Sequence, residues 1–302
     1  MGRFGTRAIA FAFLTLFAAR AEDPTFRVDV KLVRVLATVK DNYGKPIGGL
    51  NRDDFMIYDN GVPQEIKVFA RQTEQPLSIT LLVDISGSTA KDLRYEVDSV
   101  QRFLHALFRE GNPDDAVSLY SFNWQVTVNT GFTRNLVTLT KEMKGFKAEA
   151  GTALYDAIWE STKPLRNRDG RHVVLVVTDG GDTVSAMRYQ DALRALHLAD
   201  SVFYSILVMP ITNDVGRNIG GENALTTLAQ GTGGRVFMPA LGRDMDQAFD
   251  DILRELRTQY SLSYYSKNVP LTKDPFHKLV VKTKNPDLRV ICRNGYYGDS
   301  IR

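Results

Sequence analysis

The chain has 302 residues and a single cysteine, Cys292. No intrachain disulfide can form, so the fold must rest on cores of reasonable size. Cys292 lies in the strand-like run Leu288 to Arg293 and reads as a structural thiol rather than a reactive one. Histidine is scarce as well: His105, His172, His197 and His277 fall in no recognisable motif. HExxH, CxxC, Walker A and GxGxxG patterns are missing, and no G-x-S-x-G elbow presents a nucleophile. Gly231-Thr232-Gly233-Gly234 precedes a strand pattern rather than a helix, which argues against a phosphate cradle. There is no repeat, low-complexity tract or long Ser/Pro linker. With 43% hydrophobic and 24% charged residues, the composition is that of a globular protein, not a disordered one.

Long apolar runs are also missing. Ala8 to Ala19 is uncharged and apolar but has only 12 residues, short of the roughly 20 a membrane helix needs. Arg3 and Arg7 precede it, and Ala19-Arg20-Ala21 has the small-x-small form of a cleavage site. Residues 1–21 therefore read as a signal peptide cut before Glu22, with an uncleaved anchor as the alternative. The expected location is outside the cytoplasm: periplasm, cell envelope or medium, with no transmembrane helix after cleavage. The formal net charge is +3. Removing residues 1–21, which hold three arginines and no acid, brings it to zero. Nothing in that balance points to nucleic acid.

What is present is an alternation of strand and helix patterns over about residues 75–257. Leu77 to Val83, Ala116 to Phe122, His172 to Thr178 and Val202 to Val208 read as buried strands. Gln125 to Thr130 alternates like an edge strand, and Arg235 to Met238 closes the sheet. Thr89 to Phe108 carries Leu93, Val97, Val100, Leu104 and Leu107 at helical spacing. Further helices are expected over Asn135 to Met143, Thr152 to Thr162, Met187 to Leu198, Asn223 to Ala229 and Met245 to Arg257. Such alternation implies an α/β fold with a doubly wound, mainly parallel sheet.

The flanks show only strand patterns. Val28 to Val39, Phe55 to Tyr58, Gln64 to Phe69, Tyr260 to Tyr265, Lys278 to Lys282 and Leu288 to Arg293 are the runs. Asp59-Asn60-Gly61 is a hairpin signal. Each flank alone is too small for a secure core. The expectation is therefore one β-sandwich-like domain made of residues 24–73 and 258–300, with the α/β domain (75–257) inserted; two separate β units are the alternative. Tyr260, Tyr264, Tyr265, Tyr296 and Tyr297 read as sandwich packing rather than a glycan surface.

Three segments carry oxygen-bearing side chains just after strands or at a helix start. Asp84-Ile85-Ser86-Gly87-Ser88 follows the first strand, Thr152 opens a helix, and Asp179 follows the third strand. An open α/β sheet places its ligand crevice beyond such strand ends. An all-oxygen set suits Mg2+, with Mn2+ or Ca2+ as alternatives, rather than zinc. Two carboxylates and three hydroxyls leave an ion short of anionic oxygen, a lack that an Asp or Glu of a partner would fill. Asp156, one turn beyond Thr152, is a candidate supporting acid; Asp182 reads first as a loop or cap acid and second as a supporting one.

The set resembles the metal-ion-dependent adhesion site of von Willebrand factor type A domains. The resemblance covers about residues 75–257 and maps DxSxS onto Asp84, Ser86 and Ser88, the threonine onto Thr152 and the aspartate onto Asp179. The flanks, through Leu50 to Gly61 and Arg293-Asn294-Gly295-Tyr296-Tyr297, are similar to a group of exported bacterial proteins common in acidobacteria. The resemblance implies a metal-dependent protein-binding module for adhesion or scaffolding, not an enzyme. It also implies that the last helix shifts when a partner engages the metal. A phosphotransferase with Asp84 as nucleophile and a purely structural envelope protein are the alternatives. The sequence does not name the partner or the oligomeric state.

Overall fold

The computed structural model describes residues 32–71, 75–208, 218–270, 273 and 275–298. The expected signal peptide and the start of the first flank strand lie outside the described residues.

The centre of the molecule is a six-stranded sheet. Its strands are β5 (Leu77–Asp84), β6 (Ala116–Phe122), β7 (Val126–Thr133), β8 (Arg171–Thr178), β9 (Ser201–Leu207) and β10 (Val236–Phe237). They lie in the order β10-β9-β8-β5-β6-β7, all parallel except β7, which runs antiparallel on the edge. Every residue of β5, β6, β8 and β9 is buried, as expected for parallel strands covered on both faces.

Among the described residues six helices cover the sheet: α1 (Leu93–Glu110), α2 (Leu136–Lys144), α3 (Leu154–Leu165), α4 (Tyr189–Leu198), α5 (Ile219–Thr232) and α6 (Arg243–Thr258). One core joins Leu81, Val100, Leu104, Phe249 and Ile252 on the α1/α6 side. A second joins Leu82, Leu154, Ile158, Leu196 and Leu225 on the α3/α4/α5 side. The expected α/β layout holds. The sequence reading found α5 only in part, because Gly220 and Gly221 interrupt its apolar pattern. Gly221 is required where α5 meets the loop after β8: a Cβ there would sit on the Gly180 carbonyl.

Strand order reverses beside β5. The chain moves from β5 to β6 on one side, then crosses back to β8 on the other. The carboxyl ends of β5 and β8 are thus adjacent at a topological switch point, where α/β sheets bind ligands. Asp84 ends β5, and Asp179 follows the last residue of β8.

The flanks form two antiparallel sheets, each mixing strands from both ends of the chain. One has β1 (Leu32–Lys40), β4 (Ile66–Arg71), β11 (Tyr260–Tyr265) and β13 (Arg289–Cys292), in the order β13-β1-β11-β4. The other has β2 (Phe55–Asp59), β3 (Val62–Gln64), β12 (Phe276–Thr283) and β14 (Gly295–Tyr297), in the order β14-β12-β2-β3. Val35, Val39, Ile57, Tyr260, Leu262, Tyr264, Val281 and Tyr296 share one core between them. The Asn60-Gly61 turn joins β2 to β3, with φ of 46° and 83° at its two central residues, as a primed hairpin turn demands. Only Gln259 separates α6 from β11, and it is buried.

The inner β strands dock on the α/β layers. Lys40 of β1 pairs with the buried Glu255 of α6, which also receives Arg235. Asp200 joins Arg34 and Arg293 at 2.8 and 2.9 Å. Among the described residues no helix is long and apolar enough to cross a membrane.

Candidate metal centre

Asp84 is fully buried, and both of its oxygens are engaged. Oδ1 accepts the Ser86 backbone N–H at 2.8 Å, and Oδ2 accepts the Thr178 hydroxyl at 2.6 Å. These bonds fix the carboxylate at the crest of the sheet. Desolvation pushes its pKa up to about 6 against the pull of those donors, and the nearby Asp179 charge adds to the rise.

Ser86 begins a short 3-10 turn, Gly87–Lys91. Its Oγ lies 3.0 Å from the Ser88 Oγ, so the two hydroxyls of the DxSxS segment point to one place. Thr89 ties the turn from behind, its hydroxyl donating to the Ser86 carbonyl at 2.9 Å. Ser86 is buried and Ser88 exposed, so the segment runs from the core to solvent.

The loop that carries Thr152 runs beside the Ser86 turn. Ser86 forms a parallel bridge with Glu149, and the Glu149 N–H bonds the Ile85 carbonyl at 3.0 Å. Gly151, with φ of 87°, lets that loop turn tightly against Trp124: a Cβ there would lie 2.9 Å from the tryptophan Cβ. The Thr152 backbone is clamped on its other side, its N–H donating to the Thr183 hydroxyl and its carbonyl accepting the Thr183 N–H, both at 2.9 Å.

Asp156 and Asp182 hold loops. The Asp156 carboxylate accepts the N–H groups of Ala186 and Met187 at 3.0 and 2.7 Å. Asp182 accepts the Ser185 hydroxyl and the Tyr155 N–H. Between them they tie the segment after Asp179 to the first turn of α3.

The sequence reading passed over several contributors. Thr178 looked like a strand residue, yet it anchors Asp84. Trp124 is 58% exposed at the rim, and its Nε1–H lies 3.3 Å from Glu149. Glu96, in the first turn of α1, is buried and has no hydrogen-bond partner on either carboxylate oxygen. A count of helical spacing would have placed Glu96 on the same face as Val97 and Val100, which is the available signal.

The residues fit a hard divalent cation. No group of three or more acids, histidines or cysteines among the described residues is close enough to hold a metal by itself. The donors on offer are instead two carboxylates plus hydroxyls, the chemistry of an ion that keeps several waters.

No curated protein matches the chain. Among solved structures, BatB from Bacteroides thetaiotaomicron is similar at 16% identity over 60% of this chain and 98% of its own, with a TM-score of 0.48. The vWF domain of the type V pili tip protein Mfa5 from Porphyromonas gingivalis is similar at 12% identity over 59% of this chain and 94% of its own, with a TM-score of 0.47. The PilB minor pilin from Streptococcus sanguinis is similar at 11% identity over 63% of each chain, also with a TM-score of 0.47. Residues 79–181 match the family model of the von Willebrand factor type A domain, and the six-stranded sheet that carries the site has that domain's fold.

Proposed function

We propose that the chain is an exported, divalent-metal-dependent protein-binding module, used for adhesion or scaffolding. Asp84, Ser86, Ser88, Thr152 and Asp179 would hold Mg2+, with Mn2+ or Ca2+ as substitutes, and a partner's Asp or Glu would complete the coordination. The observation that carries this reading is the hydroxyl pair of Ser86 and Ser88, 3.0 Å apart, beside an Asp84 carboxylate anchored at the switch point. When bound, the ion would supply a Lewis-acidic position open to solvent on the Ser88 side. The exposed Trp124 at the rim offers an apolar contact of the kind that anchors protein interfaces.

The phosphotransferase alternative is disfavoured by the same geometry. A nucleophilic aspartate needs a free, accessible oxygen, but Asp84 is buried with both oxygens bonded. Ser86 also stands two residues on, where that chemistry wants a second acid. The structural-protein alternative differs in having no divalent-dependent partner.

Part of the same proposal is that the two flanks are one domain interrupted by the α/β domain, supported by their shared core. A pull-down from envelope extract in Mg2+ against chelator separates binding from structural roles. Calorimetry with Mg2+ and Mn2+ tests the site: wild type is expected to bind one ion and Asp84→Ala none. Equal affinity in the two proteins would overturn the assignment.

A further inference from the structure

Glu96 is 1% exposed, and neither of its carboxylate oxygens has a hydrogen-bond partner. Buried polar groups are normally satisfied, so an orphaned carboxylate needs an explanation. A capping role does not supply one. An acid in the first turn favours the helix through backbone N–H groups or the dipole; Glu96 meets no N–H, and an acid left at the surface would serve the dipole without the cost of burial. Packing does not supply one either. Val97, Val100 and Leu104 cover the same helix side, and a leucine there would remove a buried polar group at no loss of area.

The surroundings of Glu96 are informative. The charges that act on it are those of Asp84 at the end of β5, Asp179 after β8, and Asp92 just before its own helix; all are negative. The ion pairs α1 makes with α6, Arg102–Asp246 and Glu110–Arg257, lie further along the helix. The Asp84 and Asp179 charges thus act on Glu96, which stands in the first turn of the helix that follows the DxSxS turn. Glu96 is outside the set of direct ligands, since no three acids come close enough to hold a metal.

We infer that Glu96 is a positioning acid of the cation site, set behind Asp84 and Asp179, whose negative charge balances the bound ion. This rests on the proposed reading of the site as a divalent-metal centre. It explains why a carboxylate is kept where a hydrocarbon would pack better. In the empty protein, desolvation and the neighbouring acids push the Glu96 pKa up to about 8, so at neutral pH it is mostly the uncharged acid. When a divalent cation enters, the local field reverses and Glu96 passes its proton to solvent. Cation binding would then release close to one proton near pH 7. The metal-free fold carries the reciprocal mark. A carboxyl with a raised folded-state pKa contributes stability at low pH, and that contribution is lost as pH rises from the ordinary glutamate value of 4.5 through about 8.

The test is Mn2+ titration calorimetry near pH 7 in buffers of different ionisation heat, on wild type, Glu96→Gln and Glu96→Leu. It is paired with thermal unfolding of the metal-free proteins from pH 5 to 9. Wild type is expected to bind Mn2+ with release of about one proton. Both variants should bind at least roughly tenfold more weakly and release none. Metal-free, they should be as stable as wild type or more so, without its decline toward pH 8. That combination separates positioning from packing, because a purely structural residue would lower stability and leave proton release intact. The leucine variant suits the apolar helix face and carries the test should glutamine disturb folding. Wild-type affinity and proton release in both variants would overturn the inference alone. A wild type that binds no divalent ion would overturn the site assignment and this inference together.

Discussion

Asp59 is the residue on which the β sheets should depend most. It ends β2, has no exposed surface, and its carboxylate accepts four hydrogen bonds. Oδ2 takes the hydroxyls of Tyr264, Ser266 and Tyr296 at 2.9, 3.0 and 2.8 Å. Oδ1 lies 2.9 Å from His277 Nδ1. All four partners come from the C-terminal flank, whereas Asp59 belongs to the N-terminal one. Asp59→Ala would orphan the Tyr264 hydroxyl and take the carboxylate from the Tyr296 hydroxyl, which keeps His277 Nδ1 at 3.1 Å, in a core where both rings are nearly fully buried. Each orphaned donor costs ~1–3 kcal/mol. Ser266 and His277 are partly exposed and can turn to water, so their losses are smaller. Relief from burying the aspartate's own charge offsets part of the sum. The expected net destabilisation is about 1–3 kcal/mol, large against a total of ~5–15 kcal/mol for a domain. Urea unfolding followed by circular dichroism measures it, with Asp53→Ala as control because that side chain is 79% exposed. Limited proteolysis should show both flanks opening together. An Asp59→Ala protein within ~0.5 kcal/mol of the control would refute the reasoning, since that is the range of ordinary surface changes.

Two further outcomes follow from the chain's organisation. Deleting residues 258–302 removes β11 to β14 and with them the partners of β1, β2 and β4; protease cleavage should then appear between Phe26 and Phe69, and continued protection there would mean that the flanks fold separately. Mass spectrometry of the protein recovered from an envelope fraction should find Glu22 at its N-terminus, and a full-length cytoplasmic product would count against export.

The sequence by itself determined the α/β core. Leu77 to Val83, Ala116 to Phe122 and His172 to Thr178 are near-continuous apolar runs of strand length, and a strand buried on both faces leaves that mark whatever its neighbours are. The helical spacing from Leu93 to Leu107 and the hairpin signal at Asp59-Asn60-Gly61 are likewise local, set by side-chain period and by backbone conformation. The five candidate oxygen residues stood out because each lies just after a strand or at the start of a helix.

Tertiary structure decided the rest, because partners far apart in the chain are invisible to periodicity. Strand order placed β8 beside β5, and only then did Thr178 reach Asp84 across 94 positions of sequence. Asp59 read as a turn former; the pairing of β2 with β12 put it in a core among three hydroxyls and an imidazole. Glu96 drew no notice within the helical pattern from Thr89 to Phe108, and the packing of α1 over the sheet made it a buried acid under the charges of Asp84 and Asp179. A hydrophobic period records which face of an element is buried, whereas the energy of a buried charge depends on what the fold sets against it.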